Sequence, residues 1–193
     1  MSEPTVIPAE KTVEIRGERF RLFLDKATIQ ARVAEIGAAI SRTHEGNVPI
    51  LIGVLNGSFM FIADLMRAID IPCEIDFWKL SSYGAEKVTS GRVHELKKID
   101  ADLEGRHIIV VEDIVDTGLS MQYILDRMKE HNPASVTAVT LLHKYEATRV
   151  DVQLDHIGFP IPHLFVIGYG LDYGQQGRNL PEIYILDQPS DTA

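Results

Sequence analysis

The chain has 193 residues, which predicts a single domain, and its 45% hydrophobic and 24% charged residues are ordinary for a globular enzyme. Its 19 Lys and Arg against 28 Asp and Glu give a formal net charge of −9, which argues against a nucleic-acid-binding face, and its one cysteine, Cys73, excludes an internal disulfide. With neither a secretory signal nor an apolar run of the ~20 residues that a membrane span needs, we expect a soluble, cytoplasmic protein with no nucleic-acid or membrane partner.

Apolar residues at helical spacing predict three helices. The first follows the N-cap Asp25 and ends before Gly46, the second covers 59–69 and the third covers 117–130. Short apolar runs bounded by turn residues predict strands at 48–55, 73–80, 107–113, 135–142, 156–159, 164–169 and 182–186.

Strands that alternate with helices predict right-handed βαβ units and hence an α/β fold with a central, mostly parallel sheet flanked by helices. We expect one domain over 1–193, with loose termini at 1–11 and 188–193 because both ends are polar and contain proline. Ligands of such sheets bind beyond the carboxyl ends of the strands. The loops expected to carry the chemistry are therefore 55–58, 81–91, 112–120 and 143–149.

The segment VVEDIVDTGLS, 110–120, leads from a predicted buried strand into a predicted helix. A helix start offers unpaired N–H groups and the positive end of a dipole, which suit a phosphate. Gly118 lets the backbone approach a ligand closely, and Thr117 and Ser120 add hydroxyl donors. The same residue types also suit an ordinary N-cap.

Acidic residues precede this helix start. Glu112 and Asp113 stand side by side at the end of the strand, and Asp116 opens the turn. Adjacent like charges at the mouth of a buried strand are unfavourable unless a cation is present, and carboxylates beside a phosphate indicate Mg²⁺. The chain has neither GxxxxGK[ST] nor GxGxxG, which argues against a P-loop and a dinucleotide site.

VVEDIVDTGLS resembles the phosphoribosyl-pyrophosphate motif of the type I phosphoribosyltransferases, above all their hypoxanthine-guanine branch. Between about residues 12 and 187 further motifs occur in the family's order: GVLNGSFMF, LSSYG, LLHK and FVIGYGLDYGQQGRNL. The resemblance implies the fold predicted above with a small hood region. It also implies transfer of the 5-phosphoribosyl group from phosphoribosyl pyrophosphate to N9 of a 6-oxopurine, which gives IMP or GMP and pyrophosphate.

The resemblance implies contacts for the sugar phosphate. The ribose hydroxyls would meet Glu112 and Asp113, directly or through Mg²⁺, and Asp172 would hold a second Mg²⁺. The residues expected around the 5′-phosphate are Asp116, Thr117, Gly118, Leu119 and Ser120.

The departing pyrophosphate is expected on Arg178 and on backbone N–H groups of Leu55, Asn56 and Gly57. In the family the bond between Leu55 and Asn56 is a non-proline cis peptide. Asn56 departs from the family, which usually has a basic residue there, so only backbone contacts are expected at this position.

The resemblance also implies a lid over the reaction centre, with Ser82 and Tyr83 as its characteristic pair. Such a lid would exclude water that could hydrolyse the activated sugar. The residues alone favour a different interpretation of 81–91, a disordered hairpin tip between two strands.

For the base, the resemblance implies three contacts and a proton acceptor. Lys144 would donate to the 6-oxo group, which rejects adenine because its 6-amino group is itself a donor. Phe165 would stack on the ring, the Val166 backbone would read the pyrimidine edge, and Asp116 would accept a proton near N7.

Alternative functions stay open at this point. The base could be xanthine or uracil, and the preference between hypoxanthine and guanine is not determined. From a different class, the chain could be a regulator that senses phosphoribosyl pyrophosphate, although the acidic charge disfavours DNA binding. The family forms homodimers and homotetramers, so a homo-oligomer is expected.

Overall fold

A computed structural model describes residues 11–80 and 95–187 of the chain. The predicted lid residues Ser82 and Tyr83, and the ends 1–10 and 188–193, lie outside the described residues. In chain order the elements are β1 (Thr12–Ile15), β2 (Glu18–Leu24), α1 (Lys26–Thr43), β3 (Ile50–Val54), α2 (Phe59–Ala68), β4 (Glu74–Leu80), β5 (Glu95–Lys97), β6 (His107–Val115), α3 (Leu119–Lys129), β7 (Ser135–Lys144), β8 (His156–Ile161), β9 (Val166–Ile167) and β10 (Ile183–Leu186).

The larger sheet has six strands in the order β5-β4-β3-β6-β7-β8. All its pairs are parallel except β4 with β5. Apolar residues of α1 and α2 pack on one face of this sheet and those of α3 pack on the other. The predicted α/β fold with a mostly parallel, helix-flanked sheet is therefore confirmed.

The strand order reverses direction between β3 and β6, which are neighbours in the sheet. From β3 the chain passes through α2 to β4 on one side, and β6 then begins the other half of the sheet. Such a reversal opens a crevice at the carboxyl ends of the two central strands. The loop after β3 and the loop after β6 flank this crevice.

A smaller antiparallel sheet, in the order β1-β2-β10-β9, forms the predicted hood. Phe20, Ile167 and Tyr184 form its buried core. No strand was predicted before the first helix, so the β1–β2 hairpin differs from the expectation. Arg16 and Gly17 form its tight turn, both with positive φ (54° and 81°), as hairpins with two-residue loops commonly require.

Most predicted boundaries agree with the structure to within about two residues, and two differences have a clear backbone cause. The strand predicted at 164–169 stops at Ile167, because the next three residues, Gly168, Tyr169 and Gly170, all have positive φ. The helix predicted from 117 begins at Leu119, because Gly118 before it has a φ of 84°. Strand β5 was not predicted.

The chain is anchored from its first described residue. Lys11 pairs through its ammonium with the carboxylate of Glu182, and its carbonyl accepts from the Leu22 N–H at 2.8 Å. Among the described helices, none combines the length and apolar character needed to span a bilayer.

Candidate active site

The loop after β3 meets both β6 and the hood. A Cβ atom on Gly57 would overlap the carboxylate of Asp113, and a Cβ on Gly170 would overlap the Gly57 carbonyl oxygen. Only glycine fits such close approaches of backbone to neighbours. The Leu55–Asn56 peptide bond is cis, as the resemblance implied. Three predicted site segments therefore converge at the crevice.

The start of α3 and the turn before it surround a small cavity of about 90 Å³. Leu119 beside it is exposed, at 54% of its surface. The turn is braced from the loop after β7, since the Arg149 N–H donates to the Thr117 carbonyl at 2.9 Å. The residues lining the cavity are Glu112, Ile114, Val115, Asp116, Thr117, Gly118, Ser120 and Met121.

Glu112 and Asp113 point to opposite faces of β6, because successive side chains alternate along a strand. Glu112 lines the cavity before α3, whereas Asp113 faces Gly57. Burial, with the Asp113 charge beside it, raises the pKa of Glu112 well above its usual range. Burial also raises the pKa of Asp113, to about 6, although backbone N–H groups and the Arg178 guanidinium oppose the rise.

The Glu112 carboxyl group fits a divalent cation. The Oε2 atom of Glu112 is buried and has no hydrogen-bond partner among the described residues. A bound cation would satisfy such an oxygen and favour its charged form.

The three predicted metal ligands do not form one cluster. Asp172 instead forms an ion pair with Arg178 at 2.6 Å and accepts from the Gln175 N–H at 2.7 Å. In the part of the chain that the structure describes, no three His, Cys, Asp or Glu side chains form a group that could hold a metal ion. The structure therefore does not bring the three predicted ligands together around one metal ion.

Asp116, the predicted proton acceptor, and Lys144, the predicted partner of the 6-oxo group, form an ion pair. The Lys144 ammonium donates to Asp116 Oδ2 at 2.8 Å, and the Lys144 side chain is only 11% exposed. The Thr148 hydroxyl lies 3.1 Å from the Lys144 carbonyl and 3.3 Å from the Asp116 carbonyl and can donate to them, which joins the loops after β6 and β7. A nearly buried ammonium therefore lies at the edge of the cavity before α3.

Phe165 and Val166 lie where the hood meets the site. Val166 is buried in β9 and pairs with Ile185 of β10. The Phe165 ring is 46% exposed and packs against Tyr173, with ring centroids 5.5 Å apart and planes at 80°. An exposed ring fixed by an aromatic neighbour is suited to contact a planar base.

A family model, the phosphoribosyl transferase domain, matches residues 23–174. The chain belongs to the phosphoribosyltransferase family. The match includes the loops after β3, β6 and β7, so the convergence described above lies within the family's domain.

Several relatives of this phosphoribosyltransferase cover nearly the whole chain. The hypoxanthine-guanine phosphoribosyltransferase of Bacillus subtilis is 40% identical over 166 residues, which are 86% of this chain and 92% of the relative. That of Mycobacterium tuberculosis is 38% identical over 192 residues, 96% of this chain and 95% of the relative. A crystal structure of a hypoxanthine-guanine phosphoribosyltransferase from Bacillus anthracis superposes with a TM-score of 0.81 at 40% identity and covers 86% of this chain and 98% of that chain.

Some residues near the site of this phosphoribosyltransferase were missed by sequence reasoning. His163 lies with its Nδ1 4.0 Å from Asp116 Oδ1, and Tyr169 donates to Asp64 at 2.7 Å. No local spacing connects these pairs, because their members belong to different elements. The glycines on either side of Tyr169 were the available signal for an unusual backbone there.

Proposed function

We propose that the enzyme transfers the 5-phosphoribosyl group from phosphoribosyl pyrophosphate to N9 of a 6-oxopurine in purine salvage. Hypoxanthine and guanine are the proposed bases, IMP and GMP the products, and pyrophosphate the leaving group. The observation that carries the proposal is the Lys144–Asp116 ion pair at the edge of the cavity before α3. Relatives named hypoxanthine-guanine phosphoribosyltransferase, at about 40% identity, support the choice of base.

The Lys144–Asp116 pair matches one edge of a 6-oxopurine. In these bases O6 and N7 lie side by side on that edge. Lys144 would donate to O6, and Asp116 would take up the proton that the base must release, at N7. Adenine presents an amino donor in place of O6, which Lys144 cannot accept, and uracil has no imidazole ring to present N7.

The sugar phosphate would bind along the crevice between β3 and β6. The 5′-phosphate would occupy the cavity before α3, where the helix start and the hydroxyl groups of Thr117 and Ser120 favour an anion. The ribose would lie over Glu112 and Asp113. The pyrophosphate would meet the 55–57 backbone and Arg178, whose planar guanidinium suits bidentate contact with phosphate oxygens.

Glu112 and Asp113 would meet the ribose hydroxyls directly or through Mg²⁺, and Asp172 would hold a second Mg²⁺ on the pyrophosphate side. Bound metal would neutralise charge on the ribose oxygens and on the leaving pyrophosphate. The remaining catalysis would come from positioning. The loops hold C1′ of the sugar against N9 of the base, and the Asp116 carboxylate holds the released proton. Family membership also supports a homodimer or homotetramer in the cytoplasm.

The test is the catalytic efficiency of pyrophosphate release with hypoxanthine, guanine, xanthine, adenine and uracil, each with phosphoribosyl pyrophosphate and Mg²⁺. We expect hypoxanthine and guanine to exceed adenine and uracil by at least about a hundredfold, because adenine places a donor against the Lys144 ammonium and uracil has no N7 for Asp116. A preference for xanthine or uracil would replace the proposed base. Silence with every base, combined with salt-dependent DNA binding, would favour a regulator.

A further inference from the structure

The hood segment 168–170 lies against the 55–57 loop, on the proposed pyrophosphate side of the site. Gly168, Tyr169 and Gly170 have φ values of 97°, 49° and 102°, a run of left-handed conformations that is unfavourable for tyrosine. The segment is bonded to the following loop, because the Tyr169 N–H donates to the Leu180 carbonyl at 2.8 Å. Surrounding contacts must hold such a backbone in place.

This segment contacts two residues that are proposed to bind pyrophosphate, Arg178 and Gly57. Arg178 donates through Nη1 to the Gly170 carbonyl at 2.8 Å, and the Gly170 N–H donates to the Arg178 carbonyl at 3.0 Å. On its other side, Gly170 packs so closely on the Gly57 carbonyl that a Cβ would overlap it. A shift of Gly170 would therefore move Arg178 relative to the 55–57 loop.

The Tyr169 side chain points away from this contact, towards helix α2 on the larger sheet. It is 2% exposed, and its hydroxyl donates to Asp64 Oδ2 at 2.7 Å. Arg67 donates to the other oxygen, Oδ1, at 2.8 Å. Asp64 lies on α2, the helix that begins immediately after the 55–58 loop and is bonded to it, since the Ile62 N–H donates to the Ser58 carbonyl at 2.9 Å.

We propose that the Tyr169–Asp64 hydrogen bond positions the two halves of the pyrophosphate subsite relative to each other. One half is the 55–57 loop, which moves with α2, and the other is Arg178, which moves with the hood segment. Tyr169 and Asp64 are positioning residues, because they act through Gly170 and α2 and do not touch the substrate. The inference rests on the proposed function, since it assigns a role at the same site.

The test compares Tyr169→Phe, Asp64→Ala and the double variant in steady-state kinetics in both directions. We expect each single change to raise the KM for phosphoribosyl pyrophosphate, and for pyrophosphate in the reverse reaction, about three- to tenfold, with the purine KM changed less than about twofold. The double variant should be no worse than the worse single variant, because both remove the same bond. Asp64→Asn keeps an acceptor oxygen and should restore most of the affinity.

Tyr184→Phe is the matched control. Its hydroxyl is also buried and donates to a carboxylate, Glu182, at 2.6 Å, but both residues of this bond belong to the hood. The proposal would be overturned by an unchanged KM for phosphoribosyl pyrophosphate in folded Tyr169→Phe, or by additive effects in the double variant. An equal rise of this KM in Tyr184→Phe would also overturn it. If Tyr169→Phe does not fold, Asp64→Ala on a partly exposed helix face gives the same comparison. A wild-type chain inactive with every base would refute the proposed function instead.

Discussion

At the scale of single residues, the Lys144–Asp116 pair combines base recognition and proton transfer in one contact. An ion pair between a nearly buried ammonium and a half-exposed carboxylate fixes both side chains at one edge of the cavity. Lys144 is proposed to bind O6 and Asp116 to take up the proton. Changes to the two residues should therefore affect different kinetic constants.

Lys144→Ala should raise the KM for hypoxanthine about tenfold or more and leave the KM for phosphoribosyl pyrophosphate nearly unchanged. The physical reason is the loss of a charge-assisted hydrogen bond to O6. Initial-rate kinetics with each substrate varied in turn measure this, and Lys129→Ala, an exposed lysine at the end of α3, is the control. An unchanged hypoxanthine KM would exclude the O6 contact.

Asp116→Asn should lower kcat by about 10²–10³ while changing the KM values much less. The amide keeps the size and polarity of the side chain but cannot take up the proton, and a positioned general base is worth about 10²–10⁴ in rate. The measurement is kcat at saturating substrates. A variant that turns over at the wild-type rate would show that Asp116 is not the base.

At the scale of elements, Asp76 joins β4 to the segment that follows β5. Its two carboxylate oxygens accept from the Lys97 ammonium at 2.8 Å and from the backbone N–H groups of Phe77, Asp100 and Ala101. Burial would raise the pKa of Asp76, but these donors outweigh burial and lower it to about 2. The charged form therefore stabilises the edge of the larger sheet.

Asp76→Asn should lower the free energy of unfolding by about 2 kcal/mol at neutral pH. This magnitude follows from the pKa of Asp76, which is 3.8 in the unfolded chain and about 2 in the folded protein. A carboxyl group with a lowered pKa stabilises the fold fully above its unfolded pKa. The difference between wild type and variant should therefore shrink below pH 3.8 and vanish below about pH 2. Denaturant titrations across this range measure it.

Asp100→Asn is the control for this prediction, because the Asp100 side chain is 87% exposed and contacts the same lysine at 3.2 Å. Its effect should be within about 0.5 kcal/mol at every pH. A loss as large as that of Asp76→Asn, or a loss in Asp76→Asn that does not depend on pH, would contradict the account.

The helices and the central strands were predictable from sequence because each has one dominant local signal. Asp25 caps α1 as predicted, with its Oδ1 accepting from the Thr28 N–H at 2.7 Å. Parallel strands buried on both faces gave continuous apolar runs. The β1–β2 hairpin carried a weaker signal, an alternation of apolar residues across the Arg16–Gly17 turn, and it was missed for that reason.

The site was predictable only in part. The sequence predicted that loops at the carboxyl ends of the strands carry the site, but it did not predict the strand order, whose reversal brings the loops after β3 and β6 together. The opposite orientation of Glu112 and Asp113 follows from strand alternation. By contrast, the Asp116–Lys144, Tyr169–Asp64 and Asp172–Arg178 contacts depend on how separate loops pack or fold back, and no periodicity in the chain encodes them.

At the scale of the whole molecule, two sheets meet at one crevice and present carboxylates to an anionic substrate. The net charge of −9 makes binding of a sugar phosphate unfavourable in general, so the local donors and a divalent cation must supply the attraction. The buried, unpartnered oxygen of Glu112 is the part of this site that most needs positive charge. Turnover should therefore depend on Mg²⁺.

The most direct test of the proposed activity follows IMP and pyrophosphate together, with phosphoribosyl pyrophosphate and hypoxanthine supplied. We expect equimolar IMP and pyrophosphate in the presence of Mg²⁺, loss of both when the metal is chelated, and recovery when Mg²⁺ is restored. Absence of IMP with Mg²⁺ present, or an unchanged rate after chelation, would contradict the proposed function of this site.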